Sequence, residues 1–141
     1  MKNLEILNLS GNKISNIDIL KYVNFKKLKD LNLSWNNISD IKVLEKVQFN
    51  KLEILNLCSN KISNIDIFEN VNFKELKKLN ISYNNISDIE VLKKVKFNKL
   101  EILNLCSNKI SNIDIFENVD FKELKVLNLS WNNIADIEVL E

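Results

Sequence analysis

The chain is written in units of 24 residues. Leu4, Leu28, Leu52, Leu76, Leu100 and Leu124 stand 24 apart, and each opens nearly the same phrase: LEILNLSGNKI, LKDLNLSWNNI, LEILNLCSNKI, LKKLNISYNNI, LEILNLCSNKI, LKVLNLSWNNI. A fixed period of roughly 20–50 residues marks architectures in which no unit can bury its apolar face alone. A second period lies on the first. Residues 52–93 and 100–141 differ at six positions, so the duplicated unit is a pair of repeats, 48 residues long.

The shared pattern, L-x-x-L-x-L-x-x-N-x-I, has a direct physical reading. In LNL, alternate side chains face one way, as a strand requires, so Leu7 and Leu9 point inward and Asn8 outward. So short a strand needs neighbours, and stacks on them in parallel at about 4.8 Å. The chain then turns at Asn12. An asparagine amide satisfies backbone donors and acceptors at once, so Asn12, Asn36, Asn60, Asn84, Asn108 and Asn132 are expected to form a ladder between coils. The return path reads as helical. Ser15-x-x-Asp18 and its equivalents fit a capping box, and Ile17, Leu20 and Val23 recur at spacing three, which suits a short helix or 3₁₀ turn with one buried edge. Phe25, Phe49, Phe73, Phe97 and Phe121 follow and are expected to stack as a spine between the two layers.

This pattern resembles the leucine-rich repeat family over all six units. The 24-residue length and the ISDI phrase are most similar to the short repeats of internalins and of the leucine-rich regulatory subunit of protein phosphatase 1. The resemblance implies an α/β fold: a right-handed horseshoe solenoid, with a parallel sheet on the concave face and short helices or 3₁₀ turns on the convex face. No linker interrupts residues 1–141, which read as one domain of six repeats, the last incomplete.

With the register set, the outward positions fall into columns. Glu5, Lys29, Glu53, Lys77, Glu101 and Lys125 alternate in charge, and cross-strand pairs of this kind favour the stacked register. Ile6, Ile54 and Ile102 recur in every second strand as exposed apolar residues. Asn8, Asn32, Asn56, Asn80, Asn104 and Asn128 fill the central column, where stacked amides are expected to bond from strand to strand. Cys58 and Cys106 share a column with serines. They lie two coils, about 10 Å, apart, too far for a disulfide and without histidines to complete a zinc site, so both are expected to be free thiols.

The next column is Gly11, Trp35, Ser59, Tyr83, Ser107, Trp131. Aromatics alternate with the smallest residues at the rim of the sheet, just before the ladder asparagine. Beside them run Lys13, Lys61 and Lys109, whose side chains are expected to reach across the rings. In the family, this position resembles a variable one that contacts ligands.

Composition excludes several functions. A net charge of +1 does not favour nucleic acid, and no nucleic-acid partner is expected. No apolar run approaches the ~20 residues of a membrane span, so membrane insertion is not expected. Histidine is absent and glycine occurs once, which removes the usual general base and any glycine-rich phosphate loop. The aspartates Asp18, Asp66, Asp114, Asp40, Asp88 and Asp136 are spread one per coil and read as caps. Neither an enzyme nor a bound metal or cofactor is expected. Two cysteines make no disulfide framework, which points to a reducing, cytoplasmic setting.

The function this supports is a protein-interaction module that binds a protein partner on the concave face and rim. Its candidate contacts are Trp35, Tyr83, Trp131, Lys13, Lys61, Lys109, Ile6, Ile54 and Ile102. Two alternatives stand beside it. One is a structural piece that self-associates end to end, since no polar cap is visible at either terminal coil. The other is a targeting subunit for an enzyme such as a phosphatase, by fold analogy.

Overall fold

The computed structural model describes residues 1–140; Glu141, the last residue of the expected domain, lies outside them. Six three-residue strands form one parallel sheet in chain order: β1 (Ile6–Asn8), β2 (Asp30–Asn32), β3 (Ile54–Asn56), β4 (Lys78–Asn80), β5 (Ile102–Asn104) and β6 (Val126–Asn128). Each residue pairs with its equivalent 24 positions away, so Leu7, Leu31, Leu55, Leu79, Leu103 and Leu127 lie in one row across the sheet. The period of the sequence is thus the register of the sheet. A one-residue slip would turn a buried leucine outward, and the apolar pattern forbids it.

Each strand is followed by a turn and a short 3₁₀ helix on the opposite layer: Asp18–Tyr22, Lys42–Glu45, Asp66–Glu69, Glu90–Lys93, Asp114–Glu117 and Glu138–Leu140. The tight hydrogen bonds of this helix, such as Leu20 N–H to the Ile17 carbonyl at 2.9 Å, bring residues three apart onto one side. Ile17 and Leu20 are buried, as are Ile41, Leu44 and Val47. The core lies between sheet and helices and runs unbroken through the stack. The architecture is the leucine-rich-repeat solenoid, with the strands on its concave side.

Two expectations about local bonding are corrected here. No capping box forms: the residue before each of the first five 3₁₀ helices is an isoleucine with no side-chain cap. The cap comes from one position earlier. Oδ1 of Asn16, Asp40, Asn64, Asp88, Asn112 and Asp136 accepts the backbone N–H two residues on, at 2.7–2.9 Å. So Asp40, Asp88 and Asp136 cap directly, whereas Asp18, Asp66 and Asp114 take a side-chain bond from the capping asparagine. The central asparagines also behave differently from a strand-to-strand ladder. Oδ1 of Asn8, Asn32, Asn56, Asn80, Asn104 and Asn128 accepts the N–H two residues later in its own coil. These bonds start the turn that ends each strand.

Coil-to-coil contact decides burial at the two ends. Ile67 is 5% exposed where a preceding coil covers it, but its equivalent in the first coil, Ile19, is 65% exposed. Ile113 is 2% exposed, and its equivalent in the last coil, Ile137, 66%.

Candidate functional site: an aromatic row on the sheet rim

The turn after each strand is held by the asparagine that follows it. Asn36 Nδ2 donates to the carbonyls of Leu33 and Ser34 in its own coil and of Leu9 in the coil before, while its Oδ1 accepts from Ile14 N–H. Asn60, Asn84, Asn108 and Asn132 repeat the pattern. Asn12, in the first coil, bonds only to Leu9 and Ser10 of its own turn. Asn36, Asn84 and Asn108 are 8% exposed, so these amides are interior connectors without room for a ligand. Of the expected spine, Phe25, Phe49, Phe73 and Phe97 are interior as well, whereas Phe121 is half-buried, and among the described residues one pair of the column stacks. Phe25 and Phe49 stack with ring centres 6.3 Å apart, and Phe49, Phe73 and Phe97 are fully enclosed.

The residue before each ladder asparagine has a backbone that no inspection of Trp, Tyr or Ser would suggest. Gly11, Trp35, Ser59, Tyr83, Ser107 and Trp131 all have positive φ, between 52° and 68°. The left-handed conformation reverses the chain out of the strand and aims the N–H at the next coil: Trp35 N–H donates to the Cys58 carbonyl at 2.8 Å, and Tyr83 N–H to Cys106 at 2.9 Å. For an L-residue with a Cβ this conformation costs roughly 1–2 kcal/mol. Glycine avoids the cost, and the one signal in the sequence was that its single glycine, Gly11, occupies this column.

The same conformation lifts the side chain off the protein. Trp35 is 67% exposed, Tyr83 57% and Trp131 83%. Ser59 and Ser107, half-buried between them, leave notches in the row. Two coil spacings separate successive aromatics, roughly 9.6 Å. Lys13, Lys61 and Lys109 are exposed in the alternate coils. They do not lie across the aromatic rings; the cation–π contact among the described residues is Lys21 over Tyr22, at 4.9 Å. Lysines and aromatics belong to different coils, so the two sets alternate along the rim. Among the described residues, no carboxylate comes within ion-pair distance of Lys13, Lys61 or Lys109.

On the sheet itself, Ile6 is exposed and Ile54 and Ile102 are half-buried. The charged column resolves into discrete pairs. Lys29 reaches Glu5 at 2.9 Å, Lys77 reaches Glu53 at 2.8 Å and Lys125 reaches Glu101 at 2.9 Å. Each pair joins an odd coil to the even coil after it, so it falls inside one copy of the 48-residue unit. The Lys29 ammonium holds the Glu5 carboxyl below its ordinary range by a direct hydrogen bond, and Glu5 raises Lys29 in return.

Cys58 and Cys106 are free thiols. Each sulfur lies 3.4 Å from the hydroxyl of the serine that follows it. Among the described residues no group of His, Cys, Asp and Glu is disposed to hold a metal, and no helix is long and apolar enough to cross a membrane.

The pattern is recognised by family models for leucine-rich repeats: a two-copy model matches residues 2–46 and 50–94, and single-repeat models match 99–119 and 123–137. The chain belongs to the leucine-rich repeat family. Among curated proteins none matches it significantly. Among solved structures, it is similar to an internalin, InlF, from Listeria monocytogenes, at 31% identity and a TM-score of 0.76 over 92% of this chain. It spans 36% of that internalin's length. Internalin C2 from the same bacterium follows at 27% identity and 0.73, over 99% of this chain and 67% of its own. The PEPR1–AtPEP1 structure is similar at 26% identity and 0.71, over 94% of this chain and 19% of its own. As a member of this family, the chain has the framework of a protein–protein interaction module.

Proposed function

We propose that the protein is a non-catalytic recognition module that binds a protein partner on the concave sheet and its rim, with Trp35, Tyr83 and Trp131 as anchors. One observation carries this reading: three large aromatics occupy left-handed backbone positions with most of their surface in water. The turn needs the left-handed backbone but not an aromatic side chain, since Gly11, Ser59 and Ser107 make the same turn. The conformation disfavours any side chain, and the exposed rings gain little from burial. Large apolar rings kept in water where a serine or glycine would serve the turn point to a binding role. Tyrosine and tryptophan are also the side chains that most often dominate protein interfaces. Lys13, Lys61 and Lys109 would supply charge beside the anchors, and Ile6, Ile54 and Ile102 an apolar floor.

The test is to replace all three aromatics by serine, the residue the chain itself carries at positions 59 and 107. The triple variant is expected to unfold at about the same denaturant concentration as the parent. Proteins from the source cell that the parent retains on a column should be lost from the variant. Retention of the same set by both would remove the rim as the binding site.

A further inference from the structure

The spacing of the rim says what shape of partner it fits. The aromatics repeat every two coils, roughly 9.6 Å, and a bound segment running along the stack must present a side chain on one face at that interval. A β-strand rises about 3.3 Å per residue, so 9.6 Å is about three residues, and three residues alternate to the opposite face. An α-helix rises 1.5 Å per residue, so the same distance takes about 6.4 residues and ends roughly 80° off the starting face. A polyproline-II helix rises about 3.1 Å and completes a turn in three residues, so one turn covers about 9.3 Å and returns to the same face. Over the two intervals from Trp35 to Trp131 its accumulated mismatch is below about 1 Å.

The chemistry of the rim agrees with its spacing. Exposed Trp and Tyr rings separated by small residues form the kind of aromatic-lined groove in which proline rings pack. The notches over Ser59 and Ser107 leave room for them. Charge adds a second, independent constraint. Outside the Glu–Lys pairs, the strand and turn positions of this face carry four lysines, Lys13, Lys61, Lys78 and Lys109, and one carboxylate, Asp30. Three of those lysines repeat with the same two-coil period as the aromatics, one coil out of phase.

From this spacing and charge we infer that the rim binds a polyproline-II peptide with proline at every third residue and an acidic residue within each triplet. Prolines sit against Trp35, Tyr83 and Trp131, and carboxylates face Lys13, Lys61 and Lys109. This rests on the rim being the recognition surface and adds the class of ligand.

The probe is a fluorescein-labelled 12-residue peptide of four Pro-Ala-Glu triplets, titrated with the full chain and followed by fluorescence anisotropy. Two controls accompany it: a peptide of the same composition with the prolines spaced by two and four, and one with lysine in place of each glutamate. Saturable binding of the first peptide is expected, at least tenfold weaker for either control. It should also weaken at least tenfold in the Trp35→Ser, Tyr83→Ser, Trp131→Ser variant and in a Lys13→Glu, Lys61→Glu, Lys109→Glu variant. Equal affinity for the respaced peptide, or no saturable binding below about 1 mM, would overturn the ligand class. Loss of cellular partners from the serine variant would then still support the rim as a site. If the serine variant keeps both its partners and the peptide, the rim itself is wrong.

Discussion

Asn60 Nδ2 donates to the carbonyl of Leu33, 27 residues earlier and one coil away, at 3.0 Å. The same amide accepts the N–H of Ile38 through Oδ1, also at 3.0 Å. One side chain therefore closes its own turn and fastens it to the coil before.

Replacing Asn60 with alanine leaves the buried Ile38 N–H without a partner, while the carbonyls of Leu33 and Leu57 each keep one bond, from Asn36 and Asn84. A buried donor left unpaired costs about 1–3 kcal/mol. Asn60→Ala is expected to lower unfolding free energy by about 2 kcal/mol in a urea titration. Asn12 is exposed and bonds only within its own turn. Asn12→Ala should therefore cost under about 1 kcal/mol. Equal losses at the two sites would show that the link between coils contributes nothing beyond the local turn.

The left-handed column predicts substitutions of opposite sign. A Cβ added at Gly11 would meet nothing within 4 Å, so Gly11→Ala isolates the backbone penalty of φ +68°. A loss of about 1 kcal/mol is expected. Ser59→Gly removes the same penalty, but frees the unfolded chain, which offsets roughly half of it. A net gain of roughly 0.5 kcal/mol should remain. Parallel urea titrations of both variants decide the matter, since two changes of the same sign would mean that φ is not the controlling quantity.

Legibility in the sequence followed how far each feature depends on periodicity. Leu31, Asn36 and Phe49 recur at every equivalent position, and one strand register orders all three columns. Phe68 does not stand out in the sequence, because its column runs Leu20, Leu44, Phe68, Leu92, Phe116. Yet it is fully buried and packs edge-on against Phe97, with ring centres 5.8 Å apart. The capping motif misled for a different reason. Ser-x-x-Asp suits an α-helix, whereas these turns close as 3₁₀ and take their cap from Asn16 or Asp40. The conformation of Trp35 was hardest to see, since tryptophan has no preference for positive φ. Only the glycine two dozen residues earlier in the same column hinted at it.

The charged column makes stability depend on pH at both extremes. Glu5, Glu53 and Glu101 are held below the ordinary 4.5, each first of all by a hydrogen bond from its lysine. A depressed carboxyl stabilises the fold above its unfolded value and loses that contribution as pH falls through the folded one. Lys29, Lys77 and Lys125 are raised above 10.5 by the same bonds. Their contribution is complete below the unfolded value and vanishes as pH rises through the folded one. Melting temperature is therefore expected to be level between about pH 5 and 10 and to fall on both sides. All three pairs are open to water, so the effect is small and salt weakens it. The variant Glu5→Gln, Glu53→Gln, Glu101→Gln should fall less than the parent on the acid side, and the difference should shrink at about 1 M salt, where charges are screened within a few ångströms. Identical acid limbs for parent and variant would show that these pairs do not link the coils in solution.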